Sequence, residues 1–169
     1  MEHLRQLVNQ VTGVTPIIIE TTSISTSKLN PAIEPEDLLK KVSVSMPKNY
    51  PYIYFLKVTD NPDLRQIEQT FSTTKNEENS ISFPRLNRQS SFLYVGSGNN
   101  IFQRFKEHLG YGSRKTYSLQ LAHWAHNLNL QLDFVYARYQ HDICHDVIQT
   151  LEDQLWDELL PMFGRKGKR

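Results

Sequence analysis

Apolar residues recur along this chain in two periods, and the switches between them divide it into short strands and amphipathic helices. Leu4, Leu7, Val8 and Val11 fall at helical spacing and predict a short N-terminal helix ending near Gly13. Ile17-Ile18-Ile19 has strand composition, and the Thr/Ser-rich run 21–27 reads as loop or edge strand. Pro35 at a first helical position, with Glu36 and Asp37 behind it and then Leu38, Leu39 and Val42, predicts a second short helix. Pro47 and Pro51 punctuate the chain, and the boundary of an N-terminal extension, residues 1–50, is placed there.

Residues 52–58 are aromatic and β-branched with no breaker, which predicts a central strand. Tyr52, Tyr54, Leu56 and Val58 share one of its faces, and Ile53 and Phe55 take the other. Asn61-Pro62 opens a helix carrying Leu64, Ile67 and Phe71, and the polar run 72–90 reads as a long, partly mobile loop. A second strand is predicted over 91–95, a turn at 96–100, a helix from about Asn100 to Leu109 stopped by Gly110, and another helix over 117–127. A third strand over 130–136 alternates Leu132, Phe134 and Tyr136, and a last helix from about Ile143 to Leu160 ends at Pro161. The expected fold is α/β, with a small central antiparallel or mixed sheet of about three strands flanked by helices and an N-terminal helical extension.

Composition narrows the class only slightly. At 169 residues the chain is one domain's worth, and 19 Lys and Arg against 18 Asp and Glu leave a net charge of +1, so any electrostatic footprint must be local. One such concentration is the C-terminal run, where Arg165, Lys166, Lys168 and Arg169 place four cations in the last five residues. Arg114 and Lys115 decorate the loop after His108, and Arg85 and Arg88 lie in the polar loop. The single cysteine, Cys144, excludes an internal disulfide. No run approaches the ~20 apolar residues of a membrane span, so the chain reads as cytoplasmic and away from membranes.

The chemistry concentrates between Phe92 and His108. A strand ending in Tyr94-Val95-Gly96 is followed by Arg104 and then, one helical turn on, by His108. A phenol, a guanidinium and an imidazole in one small volume suit the handling of a phosphodiester. Hydrolysis needs an activated water, neutralisation of a phosphorane-like transition state and stabilisation of the leaving oxygen. Arg104 offers a permanently charged fork for phosphate oxygens, and Tyr54 or Tyr94 would position or activate water, provided positive charge lowers a phenol pKa of about 10. His108 could move a proton or touch the phosphate. Glu152, on a helix face, could hold Mg²⁺ or Mn²⁺ through one carboxylate, water completing the shell. Taken singly each residue has an ordinary role. The tyrosines pack in a sheet, Arg104 with Glu107 and His108 forms a solvated helix face, and Glu152 is one surface acid beside Asp153, Asp157 and Glu158.

Two strands that each carry a tyrosine, then a helix with Arg and His, resemble the GIY-YIG nuclease family over residues 51–169. The motifs stand here as Tyr52-Ile53-Tyr54, with Tyr52 where the family usually has Gly, and Tyr94-Val95-Gly96. Arg104 follows Gly96 by eight residues, His108 follows by four more, and Glu152 precedes Pro161 by nine, which are the family's spacings. Tyr54 and Tyr94 are 40 positions apart, far more than the family's usual hairpin, so an insertion at about 59–90 is expected. Gly164 stands where the family often has Asn. The resemblance implies a divalent-metal-dependent endonuclease acting on DNA, with Tyr54 as base, Glu152 as metal ligand, Arg104 as phosphate clamp, and Tyr94 and His108 in support. Arg114, Lys115, Arg165, Lys166 and Lys168 would track the DNA backbone. Two alternatives stay open: a module that grips nucleic acid without cutting it, and a scaffold serving a protein partner through residues 1–50; a homodimer is open as well.

Overall fold

The computed structural model describes residues 13–167. Four strands, β1 (Ile18–Ser25), β2 (Tyr52–Val58), β3 (Phe92–Gly98) and β4 (Gln131–Arg138), form one sheet in the order β1-β4-β2-β3, with every neighbouring pair antiparallel. Four helices accompany them: α1 (Glu36–Ser45), α2 (Leu64–Glu77), α3 (Ile101–Leu109) and α4 (His145–Leu159). The architecture is therefore α/β, with four strands among the described residues where the pattern predicts about three.

The period-two alternation of β2 builds both sides of the sheet. Tyr52, Tyr54, Leu56 and Val58 enter the larger core with Leu39 and Val42 of α1, Ile67 and Phe71 of α2, and Ile101 and Phe105 of α3. Ile53 and Phe55 face the opposite way and pack with Ile148, Leu151, Leu155 and Leu159 of α4. Three helices thus cover one face and α4 covers the other.

The fourth strand, β1, falls where the Ile17-Ile18-Ile19 run and the Thr/Ser-rich segment after it have strand or edge-strand character. β1 pairs with β4 from Ile18↔Arg138 to Ser25↔Gln131, so the segment expected as an extension lies in the same sheet as the rest. Its Thr and Ser side chains suit an edge strand with one side open to water. The predicted N-terminal helix on Leu4, Leu7, Val8 and Val11 lies outside the described residues.

Three further expectations are corrected. The helix after β2 runs on to Glu77, capped by Asp63, whose carboxylate accepts from the N–H groups of Arg65 and Gln66. What remains of the long loop, residues 78–91, is pinned by buried Ile81 and Phe83 and by a bridge between Leu86 and Phe163. Residues 117–127 form two 3-10 turns, Leu121–His123 and His126–Leu128, in place of a helix. Gln120 there takes φ 54°, which no helix continues through, and the Trp124 indole N–H donates to Leu119 O at 2.7 Å across the turn. Finally, Gly96 to Gly98 belong to β3, because they pair with Tyr54, Ile53 and Tyr52.

Candidate functional site

β2 and β3 deliver the two tyrosines to one face. In register, Tyr54 lies opposite Gly96 and Leu56 opposite Tyr94, so the rings stand diagonally, with centroids 6.3 Å apart and planes inclined by 13°. Gly96 is what allows this. A Cβ there would sit 2.7 Å from the Tyr54 phenol oxygen and 3.0 Å from the Tyr94 ring.

α3 brings the other two groups. Asn100 caps it by accepting from Gln103 N–H, and Gly110 ends it at φ 103°. Arg104 and His108, one turn apart on its inner face, both reach Tyr54. Arg104 Nε donates to the Tyr54 oxygen at 3.1 Å, and His108 Nε2 lies 3.1 Å from the same atom. The Leu119 N–H donates to His108 Nδ1 at 3.2 Å, which assigns Nδ1 as the bare nitrogen and Nε2 as the donor. The Tyr54 oxygen therefore accepts two N–H bonds, and no acceptor for its own proton is found among the described residues.

Burial sets the protonation states. His108 is fully enclosed, and desolvation, helped by the Arg104 charge, holds its pKa well below 6.5, so the ring is neutral. Tyr54 is pushed above the ordinary phenol value by desolvation, with Arg104 pulling against it. The positive charge expected beside the phenol is present, yet burial outweighs it and Tyr54 is a neutral phenol. Tyr94 is raised for the same reason. Arg104 itself ion-pairs through Nη1 with Glu107, which also accepts from Gln103 Nε2 at 3.2 Å. Glu107 is 8% exposed, so this helix face is enclosed, contrary to the solvated reading.

Glu152 arrives from the other side of the sheet. Ser97 of β3 lies opposite Ile53 and shares its α4-facing side, and Ser97 Oγ donates to the Glu152 carboxylate there at 2.5 Å. Between Gly96 and Gly98, Ser97 has the sequence signature of a turn, and no local pattern marks it as a site residue. Burial raises the Glu152 pKa, while the Ser97 bond and the Arg104 charge lower it. Among the described residues it joins no ion pair. No group of three His, Cys, Asp or Glu side chains able to hold a metal occurs among the described residues. A half-buried carboxylate with a hydroxyl beside it and no cation partner fits Mg²⁺ or Mn²⁺ held mostly by water, since Mg²⁺ keeps several waters and takes one or two carboxylates.

The predicted basic residues separate. Arg165 lines a cleft of about 700 Å³ that reaches Tyr94 and Gly164. Gly164, at φ 104°, lies so close that a Cβ would come within 3.0 Å of the Tyr94 ring, which accounts for a residue without a side chain at that position. Arg114 and Lys115 are exposed near the cleft, where Arg114 O accepts from the N–H of Ser82, a lining residue. Lys166 is ion-paired with Asp157 on α4, and Lys168 lies outside the described residues. Among the described residues no helix is long and apolar enough to cross a membrane.

No family model matches this chain, and no curated protein or solved structure compared with it does either.

Proposed function

We propose that the chain is a divalent-metal-dependent endonuclease of the GIY-YIG type, cutting DNA phosphodiester bonds at the end of β3. The observation that carries this reading is the convergence of Arg104 and His108 on the Tyr54 phenol oxygen, with Glu152 bonded to Ser97 on the neighbouring strand β3 and acted on by the Arg104 charge. A divalent ion on Glu152 would supply charge against the phosphate and the leaving oxygen. Arg104 is held by Tyr54 on one side and Glu107 on the other, which aims its remaining N–H groups and leaves it permanently charged for a phosphate oxygen. Tyr54 serves as base only after losing its proton. The two N–H bonds it accepts stabilise the resulting phenolate. His108, neutral and bonded at both nitrogens, fixes the phenol's position, a narrower role than moving protons. Tyr94 forms the wall between this cluster and the cleft.

Glu152→Ala, incubated with supercoiled plasmid and Mg²⁺, is expected to lose cleavage by at least ~100-fold, and a chelator should abolish the wild-type reaction. Unchanged cutting by the variant would remove the assignment. A second reading, a module that grips nucleic acid without cutting, is favoured by the Arg104–Glu107 ion pair and by the neutral state of Tyr54. A salt-sensitive gel shift with no cleavage in Mg²⁺ or Mn²⁺ would decide for it.

A further inference from the structure

The cleft beside Tyr94 has the shape and chemistry of a site for one strand. Its charged lining residues are Lys75, Arg85 and Arg165 against a single acid, Glu78. Arg85 and Arg165 are exposed and form no ion pair with any described residue, so both guanidinium groups are available to phosphates. Lys75 is tethered, its Nζ donating to Pro84 O at 3.0 Å, and it supplies fixed charge at the rim.

The second observation is Tyr117. It lines the same cleft and is 69% exposed, one of the few large hydrophobic side chains open to water. An exposed ring flanked by unpaired cations is the pairing that holds single strands, because every base offers a face for stacking while the cations follow the backbone. About 700 Å³ is the size of a small-molecule pocket, enough for an unpaired nucleotide and not for stacked base pairs.

We infer that this cleft binds an unpaired nucleotide of a DNA strand, its base stacked on Tyr117 and its phosphates on Arg85 and Arg165, leading that strand to Tyr94. The inference rests on the proposed nuclease reading for the identity of the polymer and names the substrate as single-stranded or flapped DNA. The cleft lies against Tyr94, so a strand held there reaches the Tyr54 cluster without crossing the sheet.

Fluorescence anisotropy with labelled oligothymidylate and with a blunt hairpin duplex, in chelator, tests the binding apart from any cutting. The full chain should prefer the single strand. Tyr117→Ala should weaken oligothymidylate about tenfold and leave the duplex within twofold. Arg85→Ala and Arg165→Ala should each reduce the salt slope for the single strand by about 0.7. Both kinds of side chain are exposed, and an unchanged circular dichroism melt establishes that each variant is folded. Equal affinity of the folded Tyr117→Ala variant and wild type for oligothymidylate, or equal losses on both probes, overturns the inference. Cleavage of a flapped duplex in Mg²⁺ by wild type and Tyr117→Ala is run alongside. Cleavage with no effect of Tyr117 on binding sinks the cleft alone, whereas a Tyr117-dependent affinity with no cleavage of the flapped duplex sinks the nuclease reading and keeps the strand site.

Discussion

Gly96 and His108 show how much the cluster depends on single atoms. A methyl group at Gly96 would fall 2.7 Å from the Tyr54 oxygen, inside any allowed contact, and both rings would have to move. Gly96→Ala is therefore expected to destabilise the protein by about 1–3 kcal/mol through overpacking, seen as a lower melting temperature. An unchanged melt would mean that the rings have room to shift. His108 predicts a pH dependence. Its folded pKa lies below 6.5 while the unfolded chain keeps the ordinary value, so below pH 6.5 the unfolded state binds a proton that the folded state refuses. Stability should then fall with acid at a slope approaching about 1.4 kcal/mol per pH unit, and His108→Gln should lack that component in urea titrations at successive pH values. Tyr54 gives activity a pH dependence of the same sign. With its pKa above 10, cleavage by a phenolate base should rise with pH, about tenfold per unit, into the alkaline range, and a rate flat between pH 7 and 9 would exclude that base.

At the scale of elements, strands were the more legible. The alternation of β2 predicts which side chains enter which core, and Tyr52, Tyr54, Leu56 and Val58 do share one face. α3 was readable at both ends because Asn100 and Gly110 mark its termini by local chemistry. The second half of α2, Ser72–Glu77, is polar on most sides and presents no apolar stripe, so the sequence pattern ends the helix early. Its length rests on propagation from a well-capped first turn. Asp63→Ala should therefore cost about 1 kcal/mol by chemical denaturation. A loss within 0.2 kcal/mol would show that the cap adds nothing here. The 117–127 segment misled for the converse reason. Leu119, Leu121, Ala122 and Trp124 are all buried, so apolar spacing there reports complete enclosure and not a helical face.

Across the whole molecule, the sheet joins segments that the sequence separates. β1 covers one side of β4 along its full length, so a chain lacking residues up to Ser25 should expose an unpaired strand edge and self-associate in sedimentation, where the full chain should not. The register of β3 is equally consequential, since pairing Ser97 with Ile53 turns its hydroxyl to the face that α4 covers, where Glu152 meets it, while Tyr54 stands on the opposite face with Arg104 and His108. The sequence by itself determined the α/β class, the faces of β2 and the proximity of Arg104 to His108, because these follow from periods of 2 and 3.6 and from capping chemistry within a few residues. Only the tertiary structure decided that His108 is neutral, that Glu107 is enclosed beside Arg104, that Ser97 holds Glu152 and that Tyr117 overlooks a cationic cleft. Burial and long-range pairing, which no local pattern encodes, set each of these.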